Sequence, residues 1–140
     1  MIKKRTYLDT GVLRAAYNGE HKLFEAAFAV IDDPDREFVI TDFLKLELLP
    51  KPTYFMKTEE VDFYNEFFAN AVETQETTPV KTSAALDLAC KYGLSAIDAV
   101  HLQTAVDADI VEFITTEKTT KPFFRITSSS FLLTSIHQDS

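Results

Sequence analysis

The stretch Gly93-Leu94-Ser95-Ala96-Ile97-Asp98-Ala99-Val100-His101-Leu102-Gln103-Thr104-Ala105 decides how the rest of the chain is read. Ser95 is a good helix N-cap, and Asp98, three residues later, stands where the reciprocal acid of a capping box belongs. Leu94, Ile97, His101, Leu102 and Ala105 then recur at helical spacing, so one stripe of this helix faces inward. Asp98 falls within that stripe, between Ile97 and Leu102. A carboxylate on an inward face is costly unless its charge is compensated. Either Asp98 only caps the helix, or it points into a cleft that holds a cation or another partner.

Working outward, Thr78-Pro79 is a helix start signal, a cap followed by proline in the first turn. A helix is expected over residues 84–92, and Gly93 closes it as a left-handed cap. After the central helix, residues 110–115 read as a strand and 118–124 as a loop or single helical turn. An edge strand is expected within 125–133. Toward the N-terminus, residues 4–8 read as a buried strand ended by Asp9-Thr10-Gly11. Val12, Leu13, Ala16 and Tyr17 start a helix, and Asn18-Gly19 breaks the chain. Residues 23–31 form an amphipathic helix, followed by a turn at Asp32-Asp33-Pro34-Asp35. Phe38-Val39-Ile40 is short, apolar and β-branched, a second buried strand. Thr41 or Asp42 caps the next helix, 43–49, which Pro50 and Pro52 end. Thr58, Glu59 and Glu60 start another that runs to about Ala71, since acids suit the positive end of the helix dipole.

Strands alternating with helices argue for an α/β fold, a mainly parallel sheet with helices on both faces. At 140 residues and 46% hydrophobic, the chain is expected to be one domain spanning 1–140. No apolar run approaches the roughly 20 residues that a membrane span needs. The opening MIKKRTYLDTGVL lacks a long apolar core and does not read as a signal peptide. A cytoplasmic location and no membrane partner are therefore expected. The single cysteine, Cys90, excludes an internal disulfide framework and is expected to be a small buried hydrophobe. His21, His101 and His137 are scattered, with no zinc-site spacing. Net charge is −8, which argues against gripping nucleic acid with the whole surface. Two local basic groups remain, Lys3-Lys4-Arg5 and Lys118, Lys121 and Arg125.

In parallel sheets the ligand crevice lies outside the carboxyl ends of the strands. Asp9 ends the first strand, Glu47 is in the helix after the second, Asp98 is one turn into the central helix, and Glu117 follows the third strand. Each has an ordinary reading: Asp9 and Asp98 as helix caps, Glu47 as a surface residue, Glu117 as a loop residue. Their shared expected location favours the other reading, four carboxylates converging at one sheet edge. Clustered carboxylates repel and bind protons more tightly unless a cation offsets the repulsion. Mg²⁺ and Mn²⁺ prefer such oxygen ligands and can drive phosphodiester hydrolysis.

TYLDTGVL, FLKLELL, GLSAIDAVHLQTA and FITTEKT, in that order and spacing, resemble the PIN-domain pattern over nearly the whole chain. The small bacterial members of that family include VapC-type toxins. The resemblance implies a three-layer α/β/α sandwich and a Mg²⁺- or Mn²⁺-dependent ribonuclease, and assigns Asp9, Glu47 and Asp98 to the family's acidic triad. Glu117 aligns with the fourth acid, usually Asp in the family, and its longer side chain reaches the metal directly or through water. Thr10 and Thr115 or Thr116 match positions where small hydroxyl residues flank the acids and hold water or phosphate. The resemblance also implies a small antitoxin protein that reaches into the acidic groove.

Lys118, Lys121 and Arg125, just beyond Glu117, are the expected phosphate contacts for an RNA substrate. His101 is expected to be a packed histidine bonding nearby backbone. The aromatic helix around Phe63, Tyr64, Phe67 and Phe68 carries too many rings for one narrow stripe. It makes either a wide core contact or a surface for a homodimer or antitoxin. The alternative function is a catalytically weak PIN-fold module that binds RNA or protein without cutting. A phosphotransferase of the haloacid-dehalogenase kind is disfavoured, because Gly11 stands where its second aspartate belongs.

Overall fold

Tyr7, Leu8, Val39, Ile40, Phe113 and Ile114 are almost wholly buried and form the middle of a sheet. Such continuous apolar runs mark strands covered on both faces. The computed structural model describes residues 2–126 and 130–138. Five strands, β1 (Lys4–Leu8), β2 (Arg36–Thr41), β3 (Glu73–Gln75), β4 (Glu112–Thr115) and β5 (Leu132–Ser135), lie in the order β3-β2-β1-β4-β5. All neighbouring pairs are parallel.

Helices α1 (Thr10–Tyr17), α2 (Phe24–Ile31), α3 (Asp42–Leu48), α4 (Pro50–Tyr54) and α5 (Thr58–Ala69) precede β3, and α6 (Pro79–Tyr92) and α7 (Ala96–Asp107) precede β4. Parallel crossovers are right-handed. The connections that step outward from β1 to β3 therefore cover one face. The α6–α7 hairpin, which carries the chain back past β1 to β4, covers the other. The result is the expected three-layer α/β/α sandwich. Strand order reverses between β1 and β4, and the crevice belongs at their carboxyl ends. There the Asp9 N–H donates to the Ile114 carbonyl at 3.2 Å, tying the two strand ends together.

The local signals explain most boundaries. The Thr41 hydroxyl oxygen caps α3, accepting from Phe43 N at 2.7 Å and Leu44 N at 3.2 Å. Gly93 closes α6 with φ of 68°. At α3, Pro50 and Pro52 do more than end a helix: Pro50 opens α4, where a missing N–H costs nothing. Likewise α6 begins at Pro79 rather than near 84, because Thr78 caps it directly. The third strand of the sequence reading starts at Glu112, two residues later than expected. The edge strand lies at Leu132–Ser135, later than the expected segment, of which residues 127–129 lie outside the described residues. The short helix Pro122–Arg125 supplies the single turn allowed between them.

Two side chains differ from expectation. Cys90 is exposed, because Ala85, Leu88 and Ala89 already fill the inward side of α6. Ile97 is also exposed; on α7 the buried side runs through Ala99, Val100, His101, Leu102 and Ala105. On α5, Tyr64, Phe67 and Phe68 serve the core, while Phe63 packs on Tyr17 and Tyr64. Among the described residues no helix is long and apolar enough to cross a membrane.

Candidate active site

Asp9 leaves β1 and caps α1, its Oδ1 accepting from the Val12 N–H at 3.3 Å. Its Oδ2 accepts from the Thr115 hydroxyl at 2.5 Å. Only 7% of Asp9 is exposed. Burial pushes its carboxyl up to about 6, against those two hydrogen bonds, and the nearby Glu117 charge adds to the rise. Thr115 itself is fully buried. It does not line the cleft; its oxygen accepts from the Glu117 N–H at 3.0 Å while its proton goes to Asp9. One hydroxyl thus fixes both acids at the β1–β4 junction.

Glu47 arrives from the other side, on α3. That short helix touches α1, and its Phe43 packs against Ala85, Ala99 and Val100 of α6 and α7. The Thr10 hydroxyl donates to Glu47 Oε1 at 2.9 Å, and His101 Nε2 lies 2.5 Å from the same oxygen. Burial alone raises a carboxylate, but these two donors outweigh it and hold Glu47 below its ordinary value.

The direction of the hydrogen bonds behind Glu47 follows from counting protons. Thr41 Oγ1 already accepts two backbone N–H groups, so its proton is given away, to the Tyr7 oxygen. Tyr7 is fully buried, and burial holds its phenol well above the ordinary value, so it keeps its proton. That proton goes to His101 Nδ1, 2.5 Å away. The imidazole hydrogen is then on Nε2, directed at Glu47. His101 thus bonds two side chains rather than the backbone, in contrast to the expectation.

Asp98 occupies the first turn of α7, its N–H donating to the Ser95 hydroxyl oxygen at 3.2 Å. It is half-buried, and burial raises its carboxyl despite a hydrogen bond from Ser95. The charges of Glu117 and Glu47 push in the same direction. Ser95 rather than the Asp98 carboxylate caps the helix, and Asp98 lines the crevice.

Asp9, Thr10, Glu47, Asp98, Thr116 and Glu117 line one open cleft of about 220 Å³, with Gly11, Arg14, Ile97 and His101. Gly11 is required by a close approach: a Cβ there would come within 2.2 Å of the Thr116 hydroxyl oxygen. Lys118 and Lys121 are exposed and do not wall this cleft. Arg125 Nη1 donates to the Tyr92 carbonyl at 3.0 Å and so caps the end of α6. Arg14 escaped the sequence reading. It lies four residues after Thr10 on α1, hence on the same helix face, and that spacing was the available signal.

The four acids share a cleft without yet converging on a point. Among the described residues, no three His, Cys, Asp or Glu side chains are placed to hold a metal ion as they stand. Each of Asp9 and Glu47 is drawn to protein donors, and like charges keep apart. The donor set nonetheless fits a hard cation: four carboxylates, two of them raised by burial and crowding.

A parallel sheet whose order reverses at β1–β4, with acids gathered at the carboxyl ends of those strands, defines an α/β fold with an acidic crevice at its switch point. The model of the PIN domain family matches residues 6–121, and the chain belongs to that family. No curated protein sequence matches the chain. Solved structures with a similar fold include VapBC2 from Rickettsia felis bound to a DNA fragment from their promoter, at 15% identity and TM-score 0.67, over 92% of this chain and 96% of that one. A toxin-antitoxin complex from Klebsiella pneumoniae is similar at 17% identity and TM-score 0.67, over 94% and 98% of the two chains. PAE2754 from Pyrobaculum aerophilum is similar at 14% identity and TM-score 0.55, over 95% and 92%.

Proposed function

We propose that this chain is a metal-dependent endoribonuclease that hydrolyses RNA phosphodiester bonds, acting as the toxin of a toxin–antitoxin pair. The observation that carries the reading is the shared cleft of Asp9, Glu47, Asp98 and Glu117, brought together from four distant segments. Asp9, Glu47 and Asp98 are the proposed ligands of Mg²⁺ or Mn²⁺, with Glu117 reaching it directly or through water. When bound, the ion supplies charge neutralisation, Lewis acidity and an activated water.

The chain's own residues do the rest. Thr115 anchors Asp9 and the backbone of Glu117. His101 and Thr10 hold one oxygen of Glu47, so its carboxylate has one committed and one unshared oxygen among the described residues. Asp98, presented by the first turn of α7, closes the acidic wall with Asp9 and Glu47 as a carboxylate ligand. Thr10 and Thr116 offer hydroxyls along the cleft wall, and Lys118 and Lys121 offer charge beyond Glu117.

The similar toxin–antitoxin complexes support a small antitoxin as a partner. A depression of about 570 Å³ between α2 and α5, walled by Phe28, Ile31, Phe38, Phe63 and Phe67, suits that antitoxin or a second copy in a homodimer. The cell compartment proposed is the cytoplasm, where RNA and antitoxin meet. A weak, non-cutting RNA- or protein-binding module is the second reading, favoured by Glu117 in place of Asp and by the spread of the acids. The test is an RNA cleavage assay with Mg²⁺, Mn²⁺ or EDTA, run beside Asp9→Asn. Metal-dependent cutting that the variant loses supports the nuclease. Cutting that survives EDTA, or no cutting with either metal, refutes it.

A further inference from the structure

A second groove, about 250 Å³, abuts the acidic cleft, and Arg14 and Glu47 wall both. Its other walls are Leu48, Lys51, Pro52, Phe55, Lys57 and Glu60. The Tyr64 hydroxyl engages the Glu60 carboxylate at 2.8 Å, and three cations face two carboxylates in this groove. Among the described residues, none of Arg14, Lys51 and Lys57 has a carboxylate within ion-pair distance. In a chain of net charge −8, three such cations beside a cluster of acids are a local exception.

The same place exposes rings. Tyr54 is 79% and Phe55 62% exposed, edge to face at 5.0 Å between centroids. The apex that presents them is built, not trailing. Pro52 is buried beneath it, Phe55 N bonds Lys51 O at 3.0 Å, and Lys57 N bonds Pro52 O at 2.8 Å. Met56 turns the chain with φ of 55°, in the left-handed region. These helical and turn hydrogen bonds hold Phe55, Lys51 and Lys57 along the groove, with Tyr54 exposed beside Phe55.

We propose that this groove is a binding track for single-stranded RNA, with Arg14, Lys51 and Lys57 on phosphates and Phe55 stacking a base. Cations along a groove with exposed rings are what a single strand needs, because every base offers a π-face and every linkage a charge. Charge decides the occupant: the cations match phosphates, and the track leads directly to Glu47. The inference rests on the nuclease reading for its direction, but not for its test.

The test is anisotropy of a fluorescein-labelled single-stranded RNA with the full chain in EDTA, across a salt series, so that binding is read without cutting. The variants are Lys51→Glu/Lys57→Glu and Phe55→Ala, with circular dichroism confirming their fold; all three positions are at the surface. The double variant is expected to bind at least tenfold more weakly and to lower the salt slope by about 1.4, at about 0.7 for each phosphate no longer neutralised. Phe55→Ala is expected to weaken binding about tenfold with the slope unchanged. Duplex RNA is expected to be indifferent to Phe55→Ala. Parent-like binding and slope in the double variant would overturn the proposal. If the track binds RNA as described but the chain never cuts it with metal, only the nuclease reading fails. If the parent cuts and the double variant cuts and binds identically, only the track fails.

Discussion

His101 Nε2 stands 2.5 Å from Glu47 Oε1, joining the middle of α7 to the end of α3 across the head of the sheet. The imidazole is 1% exposed, and its other nitrogen is committed to Tyr7. Glu47 is therefore aimed by a buried chain that begins at the cap of its own helix.

Replacing His101 by leucine removes the donor and leaves the Tyr7 phenol without its acceptor. A cost of about 1–3 kcal/mol in stability is expected, the usual range for a buried polar group left unsatisfied. Metal affinity is expected to fall about 10–100-fold, as when a group that orients a ligand is removed. His101→Gln, which keeps a donor, recovers part of the affinity. Urea unfolding and Mn²⁺ titration check the two effects separately, and equal affinity in all three proteins contradicts the positioning role.

Asp9 gives a pH dependence with a definite sign. Its carboxyl titrates at about 6 when folded, against an ordinary value of 3.8. Between those values the folded chain holds a proton that the unfolded chain has released, so stability falls as pH rises from about 4 to about 6. Above that window the loss is complete, about 3 kcal/mol at about 1.4 kcal/mol per unit. Asp9→Asn does not titrate and can still cap α1. Its stability relative to the parent is expected to rise by a few kcal/mol between pH 4 and pH 7.5, read by urea unfolding at each pH. A flat difference contradicts the burial argument.

Gly11→Ala sets two magnitudes against each other. Alanine in a helix gains at most about 1 kcal/mol over glycine. The new Cβ would meet the Thr116 oxygen at 2.2 Å and its Cβ at 3.3 Å, so rotating the hydroxyl away is not enough and the whole side chain must shift. Overpacking of this kind costs about 1–3 kcal/mol, so the overlap wins. A lower melting temperature is expected, together with weaker metal binding as Thr116 is pushed toward the cleft; an unchanged or higher melting temperature would contradict it.

Much of this was legible in the chain because the informative residues act locally. Thr41, Thr78, Ser95 and Gly93 announce their helix ends, and β1, β2 and β4 each carry a short apolar stretch, Tyr7-Leu8, Phe38-Val39-Ile40 and Phe113-Ile114. The four acids could be placed because each follows a readable element. β3 was not legible: Glu73-Thr74-Gln75 has no apolar alternation, and its pairing comes from β2 and from Arg5, whose guanidinium lies 2.8 Å from Glu73. The jobs of Thr115 and His101 were hidden for another reason. Each depends on a partner far away in the chain, Asp9 in one case and Glu47 in the other. The Arg14–Lys51–Lys57 groove was equally invisible, since it forms only when the fold brings Arg14 of α1 to the same groove as Lys51 of α4 and Lys57 before α5.

The central claim is that the acids of the cleft share one divalent cation. Calorimetric titration of Mn²⁺ into the parent and into Asp98→Asn at pH 7.5 tests it most directly. Saturable binding in the parent, weakened at least tenfold by the substitution, is the expected result. No saturable binding in the parent, or equal affinity in the two proteins, would contradict it.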